Sequence, residues 1–91
     1  MKRDIPTHGV MSFDDAGQGD ALILLHAFPF DRRMWRPQIE EFSSSHRVIA
    51  PDLRGFGESA GWTKQPSIGQ MADDVRALLD ELHLDDPVTL C

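Results

Sequence analysis

Three short, largely apolar runs constrain the fold more than any other feature of the sequence. They lie at residues 21–25, 47–50 and 88–91, and each begins or ends at turn-forming residues. Short apolar runs without polar interruption are typical of strands that are buried on both faces of a parallel sheet. A looser alternation at residues 10–14 predicts one further strand before them.

The segments between these runs have helical spacing. Residues 31–43 carry Trp35, Ile39 and Phe42 at i, i+4 and i+7, with Pro37 in the first turn or at a kink. A second helix should begin at Ser67, because Ser67 and Gln70 have capping-box spacing. Its apolar stripe comprises Ile68, Met71, Ala72, Val75, Leu78, Leu79 and Leu82, and its predicted solvent face comprises Asp73, Asp74, Arg76, Asp80 and Glu81.

The predicted order is strand, strand, helix, strand, helix, strand, which indicates the α/β class. Such an order favours a mostly parallel sheet with helices on both faces. The 91 residues are enough for one small domain, residues 1–91. Because a domain rarely finishes inside a core strand, we expect this domain to be incomplete, with an unpaired apolar edge at residues 88–91.

Composition excludes several classes of function. A net charge of −6 disfavours binding to nucleic acid or to anionic membranes. No run approaches the roughly 18 apolar residues of a membrane span, and residues 1–6 lack the apolar stretch expected of a signal peptide. Cys91 is the sole cysteine, which favours a cytoplasmic location. The acidic pairs at 73–74 and 85–86 predict solvated carboxylates and no metal site, because adjacent helix residues do not face one another. The sequence leaves the oligomeric state open.

The first candidate site is the sequence Leu24-Leu25-His26-Ala27-Phe28-Pro29. Here a buried strand runs into a short turn, and ligands of open α/β sheets sit beyond the carboxyl ends of strands. A backbone N–H in such a turn can bind developing negative charge. The alternative is that His26 and Phe28 only pack the turn.

The second candidate site is the sequence Asp52-Leu53-Arg54-Gly55-Phe56-Gly57-Glu58-Ser59, directly after a strand. With Ala60 it matches the relaxed dinucleotide fingerprint, but that site needs a helix immediately after the glycines. Gly61, Trp62 and Pro66 delay the helix to Ser67, so a nucleotide-binding domain is disfavoured. Asp52, Arg54 and Ser59 are expected to hold the loop through internal hydrogen bonds.

Together the two stretches resemble the α/β-hydrolase family over roughly residues 9–91. The similarity is strongest to the esterase, lactonase, haloperoxidase-like, epoxide-hydrolase and dehalogenase branch. The family pattern D-x-x-G-x-G-x-S is matched in full, and H-G-x-P is matched with Ala27 in place of the glycine. If that position requires a positive φ, alanine costs about 1 kcal/mol.

The resemblance implies roles for particular residues. Phe28 would give one backbone N–H to the oxyanion hole, His26 would brace the loop, and Pro29 would follow a peptide bond that is often cis. The residues that would shape the neighbouring loop are Asp52, Arg54, Gly55, Gly57 and Ser59. The resemblance also implies that residues 88–91 form the strand before the nucleophile elbow.

The nucleophile, acid and base are therefore expected beyond residue 91, and the isolated chain is expected to be inactive. The resemblance implies a parent enzyme that attacks a small ester or lactone with an activated serine and needs no cofactor or metal. Two alternatives remain, an aspartate nucleophile in an epoxide hydrolase or haloalkane dehalogenase, and a short non-catalytic binding module. His8, His46 and His83 are predicted to be solvated surface residues, and Cys91 is predicted to be inert packing.

Overall fold

The computed structural model describes residues 2–5, 9–27, 30–54, 56–59, 67–84 and 87–91. Its strands are β1 (Lys2–Ile5), β2 (Gly9–Ala16), β3 (Ala21–Ile23), β4 (Arg47–Pro51) and β5 (Thr89–Leu90). Its α-helices are α1 (Arg36–Phe42) and α2 (Ile68–Glu81). Two short 3₁₀ helices, Arg32–Trp35 and Gly57–Ser59, precede α1 and follow β4.

The five strands form one mixed sheet in the order β1-β2-β4-β3-β5. The apolar runs predicted β3, β4 and β5. These three strands are parallel, because β3 forms parallel pairs with both β4 and β5. The two N-terminal strands are antiparallel, β1 to β2 and β2 to β4. Strand β1 was not predicted, because residues 2–5 show no apolar alternation.

A tight turn joins β2 to β3, as the glycines between them indicate. Gly17 and Gly19 adopt φ values of +86° and +116°. A Cβ atom on Gly17 would lie 2.1 Å from the carbonyl oxygen of His46, so no larger residue fits without displacing backbone. The predicted turn is therefore confirmed.

The two faces of the sheet carry separate hydrophobic clusters. On one face Ile23 and Ile49 pack with Met11, Phe13, Val75 and Leu78. On the other face Leu24, Val48 and Ala50 pack with Leu22, Trp35 and Ile39. Because successive strand residues point to opposite faces, β3 and β4 bury both of their sides, with α2 on one side and α1 on the other. The prediction of helices on both faces is confirmed.

The first predicted helix begins as a 3₁₀ turn. Asp31 caps that turn by accepting a hydrogen bond from the Arg33 backbone N–H at 2.9 Å. Helix α1 follows, with Pro37 in its first turn, where a missing N–H costs nothing. The alternative of a kink at Pro37 is excluded.

Helix α2 has the predicted capping box. The Ser67 hydroxyl accepts from the Gln70 N–H at 3.1 Å, and the Gln70 side chain accepts from the Ser67 N–H at 3.0 Å. The predicted solvent face is wrong at Asp74, which is fully buried because it forms an ion pair with Arg54. The predicted apolar stripe is wrong at two positions, because Ile68 is 82% exposed and Ala72 is exposed as well.

Strand β5 lies at the edge of the sheet. The prediction of a strand within residues 88–91 is confirmed, but the prediction that this strand is buried is wrong. Thr89, Leu90 and Cys91 are exposed, Leu90 to 59%. The pairing with the neighbouring strand is regular, since the Cys91 N–H donates to the Ile23 carbonyl at 2.8 Å. Among the described residues, none of the helices combines the length and apolar character needed to cross a bilayer.

Candidate active site

A turn follows β3 at the point where the sequence predicted a site. Sheet pairing continues past β3, because the Leu24 N–H donates to the Ile49 carbonyl at 2.9 Å. The chain then leaves the sheet, and the Phe30 N–H donates to the Ala27 carbonyl at 2.7 Å. Residues 27–30 are called the oxyanion turn below, after the role that the resemblance implies for Phe28. Phe28 and Pro29 lie outside the described residues, so the role of the Phe28 N–H stays a prediction.

His26 connects this turn to the loop after β4. The side chain is buried, and its Nε2 accepts a hydrogen bond from the Leu53 N–H at 2.9 Å. Nε2 therefore carries no proton, which assigns the proton to Nδ1, 3.2 Å from the Ala27 carbonyl oxygen. The ring also packs edge to face on Phe56, with ring centroids 5.4 Å apart. These contacts support a bracing role for His26.

Ala27 takes the place of the glycine in the family pattern without strain. Among the described residues other than glycine, His83 alone has a positive φ. The cost considered for alanine at position 27 therefore does not arise. The Ala27 N–H points toward the Met34 sulfur at 3.3 Å.

Asp52 binds the second stretch to the residues that follow the turn. Its carboxylate is buried, accepts from the Arg32 backbone N–H at 2.7 Å and forms an ion pair with the Arg32 guanidinium. Arg32 also donates to the Ser12 hydroxyl at 3.1 Å and lies 3.2 Å from an Asp14 carboxylate oxygen. Arg32 was not singled out from the sequence, because nothing local distinguishes it from the exposed Arg33.

The remaining residues of the second stretch contact other elements of the fold. Arg54 forms a two-pronged ion pair with Asp74 of α2, with N–O distances of 2.6 and 2.8 Å, and this bond raises the pKa of the Arg54 guanidinium. The Ser59 hydroxyl accepts from the Ser12 N–H at 3.0 Å. The sequence predicted bonds within the loop, and these contacts between described residues instead join the loop to α2 and β2. Gly55 lies outside the described residues.

Gly57 packs directly on the Asp52 carboxylate. Its φ is +52°, and a Cβ atom there would lie 2.5 Å from an Asp52 carboxylate oxygen. Both the backbone angle and the close contact therefore require glycine. A 260 Å³ cavity opens beside these residues and is lined in part by Arg32.

Residues 57–61 also spell G-x-S-x-G, the pattern of a nucleophile elbow. The structure argues against that role for Ser59, whose side chain is buried and whose oxygen accepts a backbone hydrogen bond. An elbow serine must instead be exposed at a strand-to-helix turn. Ala60 and Gly61 lie outside the described residues.

The other candidate side chains are scattered. His83 is exposed as predicted, whereas His46 is half-buried, bonds to the Ser45 hydroxyl at 2.8 Å and packs on Phe42. His8 lies outside the described residues. Cys91 is exposed, so the prediction that it packs in the core is wrong. In the described part of the chain, no three His, Cys, Asp or Glu side chains cluster as metal ligands would.

Comparison with known proteins identifies the fold. The family model described as the alpha/beta hydrolase fold matches residues 20–90. The chain belongs to the α/β-hydrolase family. The match includes both candidate stretches, so the turn after β3 and the loop after β4 lie in the matched region of this α/β-hydrolase.

Individual relatives include both esterases and epoxide hydrolases. A thermophilic esterase from Thermogutta terrifontis is 41% identical with a TM-score of 0.88, over 99% of this chain and 34% of its own. Epoxide hydrolase 1 from Siraitia grosvenorii is 39% identical over 89% of this chain and 27% of its own length. An epoxide hydrolase from Bacillus megaterium is 29% identical with a TM-score of 0.87, over 99% of this chain and 32% of its own. This α/β-hydrolase chain thus spans about a third or less of each relative.

Proposed function

We propose that this chain supplies the oxyanion-binding side of the active site in an enzyme that hydrolyses carboxylic esters or lactones. The observation that carries the proposal is the similarity to the Thermogutta esterase over almost the entire chain. The catalytic triad would be contributed from beyond residue 91. A small-molecule substrate and a cytoplasmic location belong to the same proposal.

The proposed chemistry depends on the backbone of the oxyanion turn. A serine oxygen attacks the carbonyl carbon, and the carbonyl oxygen gains negative charge as the tetrahedral intermediate forms. The Phe28 N–H would donate to that oxygen together with the N–H that follows the nucleophile. Pro29 has no N–H, so the donors of this turn are few. The hydrogen bond between His26 and Leu53 supports the proposal, because it binds the start of the turn to the loop after β4.

A second candidate is an epoxide hydrolase in which an aspartate is the nucleophile. The similarity to epoxide hydrolases from Siraitia grosvenorii and Bacillus megaterium favours it. The carboxylate would attack an epoxide carbon, the ring C–O bond would break, and the released oxygen would take a proton. Water would then cleave the hydroxyalkyl ester to give a diol and restore the carboxylate. The second step passes through the same kind of oxyanion, so this side of the site would serve both reactions.

The two candidates are separated by assaying the parent enzyme on matched substrates. Short p-nitrophenyl esters and a γ-lactone test the first reaction, and styrene oxide tests the second. Turnover of the ester or lactone, together with covalent labelling of one serine by a fluorophosphonate, is the expected result. Turnover of the epoxide alone, without fluorophosphonate labelling, would overturn the ester or lactone proposal in favour of the second candidate.

A further inference from the structure

The oxyanion turn is held at both of its ends by two consecutive residues, Asp52 and Leu53. At the start of the turn, the Leu53 N–H donates to His26 Nε2 at 2.9 Å. Just after the turn, the Arg32 N–H donates to Asp52 Oδ1 at 2.7 Å, with Asp31 alone between Phe30 and Arg32. Residues on both sides of the turn are therefore bound by the segment that directly follows β4.

The contact at the end of the turn is a buried ion pair. The side chain of Asp52 is 1% exposed and that of Arg32 is 15% exposed. Arg32 is also bound to β2 through the Ser12 hydroxyl and the Asp14 carboxylate. Removal of the Asp52 charge takes the buried carboxylate from Arg32 and leaves the more exposed Asp14 nearby. Removal of the Arg32 charge takes this guanidinium from the buried Asp52, and in either case the surroundings must rearrange.

Although the 260 Å³ cavity adjoins the pair, the Asp52 carboxylate has little space where it meets Gly57. Gly57 lies against the Asp52 carboxylate so closely that even a Cβ atom would collide with it. An altered Asp52 or Arg32 would therefore shift the 3₁₀ helix that begins at Arg32, and with it the turn. A displacement of about 1 Å at a catalytic donor is enough to slow a reaction by up to roughly 100-fold.

We propose that Arg32 and Asp52 are positioning residues, whose ion pair sets the place of the oxyanion turn relative to the sheet. The pair touches no reacting atom in this account. It acts through the turn, and the expected effect on turnover rests on the function proposed above.

The test compares two ion-paired carboxylates in the parent enzyme, Asp52 just after β4 and Asp15 on β2. Asp52→Asn, Arg32→Gln and Arg32→Lys alter the proposed pair. The control is Asp15→Asn, because Asp15 binds Arg47 through two N–O contacts of 2.7 and 3.0 Å at the opposite end of β4. The control alters a similar ion pair far from the turn.

Hydrogen exchange of residues 26–34 gives a readout that needs no substrate. Asp52→Asn and Arg32→Gln should speed exchange in this segment, and Asp15→Asn should not. Arg32→Lys keeps the positive charge, so it should recover part of the protection. Unchanged exchange in Asp52→Asn and Arg32→Gln, or an equal increase in Asp15→Asn, would overturn the proposal.

Steady-state kinetics give the second readout. Asp52→Asn should lower kcat on the order of tenfold with little change in KM, a fraction of the roughly 100-fold loss expected when an oxyanion donor is removed. Asp15→Asn should lower Tm and leave kcat unchanged. If kcat is unchanged in Asp52→Asn, the proposal fails. If the unaltered parent hydrolyses neither ester nor lactone, the proposed function fails, and hydrogen exchange still decides the positioning role.

Discussion

At position 28 the backbone and the side chain should have separable effects. The proposed contact to the oxyanion is made by the N–H, so Phe28→Leu should reduce kcat only modestly through the shape of the pocket. Inserting one residue between Ala27 and Phe28 should reduce kcat on the order of 100-fold, because it displaces a donor that contributes about 3 kcal/mol to the transition state. Kinetics of the two parent variants, with folding checked by circular dichroism, measure this difference. Near-parental turnover in a folded insertion variant would contradict the placement of the oxyanion hole.

At position 57 we expect a loss of stability when a side chain is added. Gly57→Ala combines a positive φ with a contact of 2.5 Å to the Asp52 carboxylate, so it should destabilise the protein by about 1–3 kcal/mol. The matched control is Gly69→Ala in the first turn of α2, where a Cβ atom would meet only the Ser67 hydroxyl at 3.7 Å. Urea denaturation of both variants should show destabilisation for the first and no loss for the second. Equal urea midpoints for the two variants would contradict the strain that we assign to a side chain at position 57.

At the scale of elements, one ion pair joins the loop after β4 to helix α2. Asp74→Ala would remove the Asp74 carboxylate from the Arg54 guanidinium, and breaking a buried pair in this way typically costs about 3 kcal/mol or more. Asp73→Ala removes an exposed neighbour on the same helix and should change stability by less than about 0.5 kcal/mol. Thermal denaturation of the two variants measures the difference. Similar values of Tm for both would show that the Arg54–Asp74 pair contributes no stability.

At the scale of the whole molecule, the 91-residue chain is expected to have no hydrolase activity. The triad is expected beyond residue 91, and Ser59, the serine in the G-x-S-x-G pattern, is buried with its oxygen bonded to the Ser12 N–H. Turnover of p-nitrophenyl acetate by the purified chain should match the buffer rate. The prediction is wrong if the chain turns over the ester, loses activity with Ser59→Ala and keeps it with Ser67→Ala, a control at an exposed serine.

The architecture was largely predictable from local patterns. Short apolar runs predicted β3 and β4, and the Ser67–Gln70 spacing predicted the start of α2. These features depend on neighbouring residues in the chain, so the sequence alone carries the information. Strand β1 could not be predicted in this way. Its pairing with β2 depends on tertiary contacts, and residues 2–5 show no periodicity that indicates a strand.

The position of the candidate site was also predictable, since a strand that runs into a turn marks the carboxyl edge of a sheet. The partners of its polar residues were not predictable from the sequence. Arg32 binds Asp52, and Arg54 binds Asp74, and in each pair the two residues are 20 positions apart in the chain.

By itself, the sequence determined the α/β class, the capped helix and the two stretches that form the candidate site, because strand and helix periods and cap spacings are local. Only the tertiary structure decided that Asp74 is buried, that Arg32 faces inward while Arg33 faces solvent, and that Ser59 bonds to β2. The physical reason is that a charged or polar side chain is buried only where another element brings a matching partner to it.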